Sequence, residues 1–295
     1  MLTLNVNNLT PIQIQSYLNH AVAPRPICLA STVDEEGNVN LSPFSFFNLF
    51  SVNPPICVFS PSRRVRDNTT KHTLENLQVV PECVINIVNY DMVQQVSLSS
   101  VEYPIGVNEF IKSGLTELPS QMVKPPRVAE SPVQLECVVK EIISLGDTPG
   151  AGNLVIAEIK LIHVKPDILK EDGSIDQEKI DLVARLGGHW YARITGDNLF
   201  KVAKPVSTIG IGVDAIPHAI RHSKVLTGNN LGQLGNVVAL PSDEDIDAYA
   251  QTDEMKEIFD ATIGDSQTRE LQLHLKAKHL LDNGLVMEAW MVLLM

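Results

Sequence analysis

Positive charge is scarce in this chain: 23 Lys and Arg stand against 35 Asp and Glu over 295 residues, a formal net charge of −12. Nucleic-acid binding needs a basic footprint, so that class of partner is not expected. A small phosphorylated ligand is not excluded, because it needs only a local cationic spot. Cysteine is sparse too. Cys28, Cys57, Cys83 and Cys137 stand far apart, with no C-x-x-C pair and each in an apolar run, a pattern of buried free thiols rather than disulfides or a metal site. No apolar run approaches the roughly 20 residues needed to span a bilayer. The opening MLTLNVNNLT lacks the basic start and apolar centre of a signal peptide. No membrane partner is expected, and the expected compartment is the cytoplasm. G-x-S-x-G, P-loop and H-E-x-x-H motifs are also missing, which removes the simplest hydrolase, NTPase and metalloprotease readings.

What is present describes a soluble globular chain, 44% hydrophobic and 20% charged, long enough to bury a core without disulfides. Short strand-like runs fill the sequence to about residue 165. Residues 26–33 (PICLASTV) end at DEEGN, a hairpin turn containing Gly37, and residues 55–60 and 82–88 follow as buried strands. Residues 133–143 alternate, with Gln134, Glu136 and Lys140 expected on the wetter face, as do residues 153–164 with Glu158 and Lys160 outward. Helices are expected near 69–78, capped by Asn68 or Thr69, and near 90–100. Five or six short strands joined by turns point to a barrel rather than a doubly wound parallel sheet. From residue 207 the texture becomes acidic and helical, with Leu271, Leu275 and Lys278 one turn apart. The expected domains are 1–206 and a mostly helical extension, 207–295.

Aromatic residues make up only 5% of the chain, yet four of its eight Phe fall between Phe44 and Phe50, in LSPFSFFNLFSVNPP. Some twenty residues on, SPSRRVRDNTTKHTLENL gathers Arg63, Arg64, Arg66 and Lys71, with the hydroxyls of Ser60, Ser62, Thr69 and Thr73. A basic loop between a strand and a helix start makes an anion site, because free N–H groups and the helix dipole add to the side-chain charge. Residues 185–191, RLGGHWY, combine Gly187 and Gly188 with His189, Trp190 and Tyr191, a set that serves either a tight turn or a planar ligand. Two other patterns carry less. GIGVDA (210–215) matches a dinucleotide loop without a surrounding βαβ unit, and His218 and His222 have metal spacing without a third ligand.

In order along the chain, PRPICLAST (24–32), DEEGNVNLSPFSFFNLFSVNPP, KHTLENL (71–77), NEFIKSGLT (108–116), ESPVQLEC (130–137) and RLGGHWY resemble the flavin reductase-like family of FMN-binding split-barrel proteins, which includes flavoredoxin. The resemblance spans roughly residues 15–205. It implies a mainly β (α+β) fold, a six-stranded antiparallel split β-barrel with peripheral helices, and a homodimer with FMN near the subunit interface. It places Ser42, Ser45, Phe46, Phe47 and Asn48 around the isoalloxazine, with Ser31 and Thr32 on a nearby strand end. Ser60, Ser62, Arg63, Arg64, Lys71 and Thr73 would take the ribityl phosphate. His72 stands where the family commonly has aspartate, which removes a carboxylate from that turn.

The activity so implied is that of an NAD(P)H-dependent flavin reductase or a flavoredoxin-type electron carrier, with hydride passing through flavin N5. FMN is the expected cofactor, FAD the alternative flavin, and NADH or NADPH the donor. A redox partner protein would accept electrons in the carrier case. His189 and Tyr191 are the expected catalytic residues, orienting nicotinamide or acceptor on the open ring face. Two readings of other classes stand beside this one: a non-catalytic module holding a flavin, haem or other planar ligand, and a scaffold whose helical tail recruits a partner.

Overall fold

A computed structural model describes residues 1–203, 205 and 208–295. It divides into two compact units, Met1–Phe200 and Lys201–Met295. The boundary expected at 206/207 falls on residues outside those described.

The first unit opens with helix α1 (Pro11–Ala21), whose N-cap Thr10 and Gln13 form a capping box. Strands β1 (Arg25–Pro26), β2 (Cys28–Val33), β3 (Val39–Phe44), β4 (Phe47–Val52) and β5 (Pro55–Phe59) follow, then α2 (His72–Val79) and β6 (Glu82–Ile87). Short helices α3 (Val93–Leu98) and α4 (Glu109–Ser113) precede a small β7–β8 ladder (Glu117–Leu118, Arg127–Val128). The long hairpin β9 (Val133–Ser144) and β10 (Asn153–Val164) and the short strands β11 (Val183–Arg185) and β12 (Tyr191–Arg193) complete the unit. The β2–β3 turn is the expected one, with Gly37 at φ +86°.

One antiparallel sheet runs in the order β3-β2-β6-β9-β10-β5-β4, and a second in the order β1-β11-β12. The larger sheet has seven strands, not the six expected. Its two edge strands, β3 and β4, are separated in sequence only by Ser45 and Phe46. Two residues reach roughly 10 Å at most, so the sheet must curl until its edges meet at that corner. No ladder joins β3 to β4 among the described residues, and the curled sheet is open rather than a closed barrel. Register shifts in β10, between Ile156 and Ala157 and between Ile159 and Leu161, supply local bends of the kind that allow such curling. Pro43 lies within β3, on an edge strand, where proline is tolerated.

Cys28, Ala30, Phe44, Cys57, Phe59, Cys83, Ile85, Cys137, Val155 and Ala157 pack inside the curl. Burying each large side chain there contributes about 1.5–3 kcal/mol. All four cysteines are free and buried, and Cys83 stands opposite Cys137 across β6 and β9. Burial pushes the Cys28 thiol up, and a bond with Cys137 together with burial does the same for Cys57. On the other face of β2 and β3, Leu29 and Leu41 pack with Met92, Val96 and Phe110.

Three local expectations are corrected. Gln134 and Glu136 are buried, not on a wet face. Residues 119–131 cover that side of β9: Gln134 bonds to the carbonyls of Val128 and Ser131, and Glu136 accepts the backbone N–H groups of Gln121 and Met122. Helix α2 starts at His72, not Thr69, and its N-cap Lys71 makes no side-chain capping bond. Asn68 instead takes a left-handed conformation at φ +59° and binds Arg63 through its side chain.

The second unit holds α5 (His218–Arg221), α6 (Gly228–Gly235), α7 (Asp243–Ala250), α8 (Asp253–Ala261), α9 (Ser266–Asp282) and α10 (Val286–Leu293). Its core gathers Leu234, Met255, Ala277, Leu281, Trp290 and Val292. The buried stripe of α9 is Leu273, Ala277, Leu280 and Leu281, while Leu271 and Leu275 lie on its exposed side. GIGVDA is no dinucleotide loop: Ile211 N–H bonds to the Val237 carbonyl and Gly212 N–H to that of Gly235. A Cβ at Gly210 would lie 2.5 Å from the Gly235 carbonyl oxygen. His218 and His222 stack ring on ring, 3.9 Å apart, and no group able to hold a metal ion occurs among the described residues.

Candidate functional site

The basic segment folds into a self-bonded turn before α2. Arg64 N–H donates to the Thr69 carbonyl at 2.9 Å and Asn68 N–H to the Arg64 carbonyl at 2.9 Å. The Arg64 guanidinium donates to Thr69 Oγ1, the Thr70 carbonyl and the Glu102 carboxylate. Arg64 and Lys71 are thereby turned into one small recess, shared with Asn40, Ser42, His72, Thr73, Ser99, Ser100, Glu102, Tyr103 and Glu109. Residues opposite one another on β2 and β3 face the same way, so Thr32 and Asn40 share the side that also carries Ser42 and Phe44. Asn40 Nδ2 bonds both Thr73 Oγ1 (2.9 Å) and Thr32 Oγ1 (3.2 Å), which ties β2 and β3 to the first turn of α2.

Lys71 is the unusual member. Its ammonium lies over the Phe44 ring, 5.2 Å from the centroid, and among the described residues it has no carboxylate or hydrogen-bond partner. Burial, with the neighbouring Arg64 charge, lowers its pKa. A partly desolvated, unpaired cation is costly unless something anionic meets it. The donor set here, Lys71, Arg64, Thr73, Ser42 and the start of α2, fits a phosphate.

The β3–β4 corner borders a second recess of about 470 Å³, lined by Ile14 and Leu18 of α1 and its C-cap Val22, with Arg25, Phe46, Ser62, Arg63 and Val65. Ser60 N–H donates to the Phe46 carbonyl at 2.9 Å and fixes the corner. Arg25 holds the wall. Its buried guanidinium donates to the carbonyls of Asn19 (2.7 Å), Val22 (2.8 Å) and Leu186 (3.1 Å), with Nε 3.5 Å from Ser45 Oγ. One side chain thus joins the end of α1, the 185–191 turn and the aromatic corner. Gly187 packs so closely on α1 that a Cβ there would meet the His20 ring at 2.2 Å.

RLGGHWY is a β-hairpin end: Arg185 pairs with Tyr191, Leu186 N–H bonds to the Trp190 carbonyl, and Gly188 has φ +58°. It borders a third recess of about 550 Å³, which contains His189, Tyr191, Tyr90, Gln94, Ser97, Ser100, Arg185 and Arg193. Arg185 stacks on Tyr191 at 4.5 Å and Arg193 on Tyr90 at 3.7 Å. Ser100 lines both this recess and the cationic one, so the two adjoin.

The expected residues therefore fall into three groups. Ser42, Arg64, Lys71 and Thr73 share the cationic recess, with Thr32 one bond away. Phe46, Ser62 and Arg63 border the α1 recess, Ser45 touches only its wall residue Arg25, and His189 and Tyr191 line the third recess. Arg63 spends its guanidinium on Asn68. Ser31 stands apart. It follows strand alternation to the side opposite Thr32 and is fully buried, its hydroxyl without a hydrogen-bond partner. Ser60 is buried beneath the corner, Phe47 packs against the core, and Asn48 is exposed with its side chain on Leu49 N–H. Sequence reasoning missed Arg25, Asn40 and Glu102. Only Arg25 carried a signal, as a lone cation just before the uncharged run 26–33.

Comparison with known proteins agrees with this architecture. Residues 20–179 match the flavin reductase like domain, so the chain belongs to that family. An uncharacterized protein of Aquifex aeolicus is 37% identical over 61% of this chain and 90% of its own length. Among solved structures, nitrilotriacetate monooxygenase component B from Bacillus cereus is 29% identical, with a TM-score of 0.64 over 68% of this chain and 98% of that one. A Shewanella frigidimarina protein with a split barrel domain, assigned to the flavin reductases, is 28% identical with a TM-score of 0.58 over 68% and 96%. The α+β antiparallel fold is thus that of the flavin reductase split barrels. The helical unit, Lys201–Met295, lies beyond the matched domain.

Proposed function

We propose that the chain binds FMN and works as an NAD(P)H-dependent flavin reductase. The observation that carries the phosphate end of this reading is Lys71, a part-buried ammonium without a counter-ion beside Arg64, Thr73 and Ser42. In this reading those four groups hold the ribityl phosphate. The β3–β4 corner, with Ser45 and Phe46, borders the ring, and α1 keeps water from it. Once bound, the flavin supplies the hydride chemistry through N5. His189 and Tyr191, across the adjoining recess, orient the nicotinamide donor or the acceptor. The chain's own residues are then asked only to bind, orient and exclude water, which accords with a site holding no nucleophile and base pair.

FMN is favoured over FAD because Lys71 and Arg64 make a single cationic recess, which suits one terminal phosphate. A homodimer is favoured because edge strand β4 exposes Leu49, Phe50 and Val52 at 58%, 69% and 90%, an apolar edge that proteins usually cover. No described helix is long and apolar enough to cross a membrane, and a cytoplasmic enzyme is the reading adopted. The Bacillus cereus relative is named as one component of a monooxygenase, which favours a second protein that receives reduced flavin or its electrons.

The test is direct. Protein titrated with FMN should acquire the flavin absorption bands near roughly 370 and 450 nm and should oxidise NADH or NADPH with an added acceptor. A protein that takes up no flavin refutes the reading. One that binds flavin but oxidises neither donor with any acceptor is the non-catalytic module instead.

A further inference from the structure

The cations of the phosphate recess already hold an anion. Glu102, 38 residues along the chain from Arg64, reaches back across the recess, with one carboxylate oxygen 2.9 Å from Arg64 Nε and the other 2.8 Å from Arg66. The other acidic side chains nearby are engaged elsewhere. Asp67 accepts from Thr69 and Arg66 within its own turn. Glu109, buried, takes Leu41 N–H. Glu102 alone bridges two cations from outside their segment. It is half-exposed, at 49%, so it can turn out to solvent at little cost in burial. With it in place the recess measures about 30 Å³, room for a water or two rather than a phosphate group.

We propose that Glu102 is a built-in competitor for the flavin phosphate, which weakens the hold of the site on phosphorylated flavin relative to unphosphorylated flavin. The inference rests on the phosphate reading above. A phosphate entering beside Lys71 must take Arg64 from Glu102, so part of each phosphate–cation interaction is offset by an ion pair lost. Riboflavin, without a phosphate, leaves that pair intact and incurs no such cost. The competitor therefore weakens phosphorylated flavin selectively and speeds its release.

The experiment is a titration of wild type, Glu102→Gln and Glu102→Asp with FMN and with riboflavin, followed by steady-state kinetics with FMN as the varied substrate. Glu102→Gln should tighten FMN by about two- to fivefold, the size expected from one part-exposed ion pair, and leave riboflavin unchanged. Its KM for FMN should fall, and kcat with it as release slows. Glu102→Asp, which keeps the charge, should stay nearer wild type. Weaker FMN binding by a folded Glu102→Gln, or an equal change for riboflavin, overturns the proposal and makes Glu102 a structural brace. A wild-type protein that binds FMN no tighter than riboflavin, with Lys71→Gln without effect, refutes the phosphate reading itself and the competitor with it.

Discussion

The Lys71 ammonium lies 5.2 Å from the centre of the Phe44 ring, and this contact joins the two most conspicuous segments of the sequence. Phe44 faces inward from the edge strand, only 6% exposed and packed on Phe59 at 5.2 Å. Its ring face is therefore fixed, and a cation on a fixed aromatic face is stabilised without being neutralised. That leaves the charge of Lys71 available to a ligand.

Lys71→Gln should weaken FMN by about ten- to a hundredfold, the loss of one charge-assisted phosphate contact, and leave riboflavin unchanged, as fluorescence titration would read. The pH dependence follows from the sign of the shift. Burial first, then Arg64, lowers the Lys71 pKa, so the folded apo-protein loses this proton at lower pH than the unfolded chain. The strain of the buried charge is present at neutral pH and is relieved as pH rises through the lowered value. FMN affinity needs the charged form and should decline over the same interval, below the usual lysine range. The decline should be absent in Lys71→Gln.

His189→Ala and Tyr191→Phe should lower kcat/KM for the nicotinamide donor by about tenfold or more while FMN affinity stays within a few-fold. The two side chains line the recess next to the cationic one and touch none of its cations. A matched loss of FMN binding would show instead that they shape the flavin site.

Arg25→Lys should cost about 2–3 kcal/mol in denaturant unfolding, because an ammonium cannot serve three carbonyls and Ser45 at once. Hydrogen exchange should quicken at the end of α1 and in residues 185–191 together, since one guanidinium bonds both.

Glu136→Gln should destabilise the protein by about 1–3 kcal/mol. Burial alone would raise this carboxyl, but N–H groups of Gln121 and Met122 and the His163 ring, 2.7 Å away, outweigh it and hold the pKa low. The stabilisation is fully present above the ordinary glutamate range and is lost as pH falls through the lowered folded value. Wild type and variant should therefore converge in stability on acidification, as urea midpoints taken along a pH series would read.

Gly210→Ala should lower the thermal midpoint of the helical unit, because the new methyl would stand 2.5 Å from the Gly235 carbonyl oxygen, a backbone atom that cannot step aside. Unchanged melting of residues 201–295 would mean that the two segments separate without cost.

Much of the β-rich unit was legible in the chain because its strands follow local rules: apolar runs, alternation, a glycine where the β2–β3 turn needs positive φ. The family pattern was legible for the same reason, as motifs held in order. Alternation misled where tertiary cover intervened. Gln134 and Glu136 read as wet, yet residues 119–131 supply them with backbone partners, and no period-2 pattern reports a segment arriving from elsewhere. The start of α2 was misplaced because Asn68, a good cap by type, is claimed by Arg63. Spacing alone set Leu271, Leu275 and Lys278 one turn apart on α9, but the buried stripe, Leu273, Ala277, Leu280 and Leu281, is chosen by which helices pack against it.

For the candidate site the division is similar. Residue types alone marked a cationic turn and an aromatic corner, since charge and ring are properties a sequence carries openly. Folding decided which cations remain unpaired. Arg63 is consumed by Asn68, Arg64 and Arg66 are bridged by Glu102, and of these four cations only Lys71 meets an aromatic face without a counter-ion. Charge balance depends on distances between groups tens of residues apart, and those distances exist only once the sheet has curled and brought its edges together.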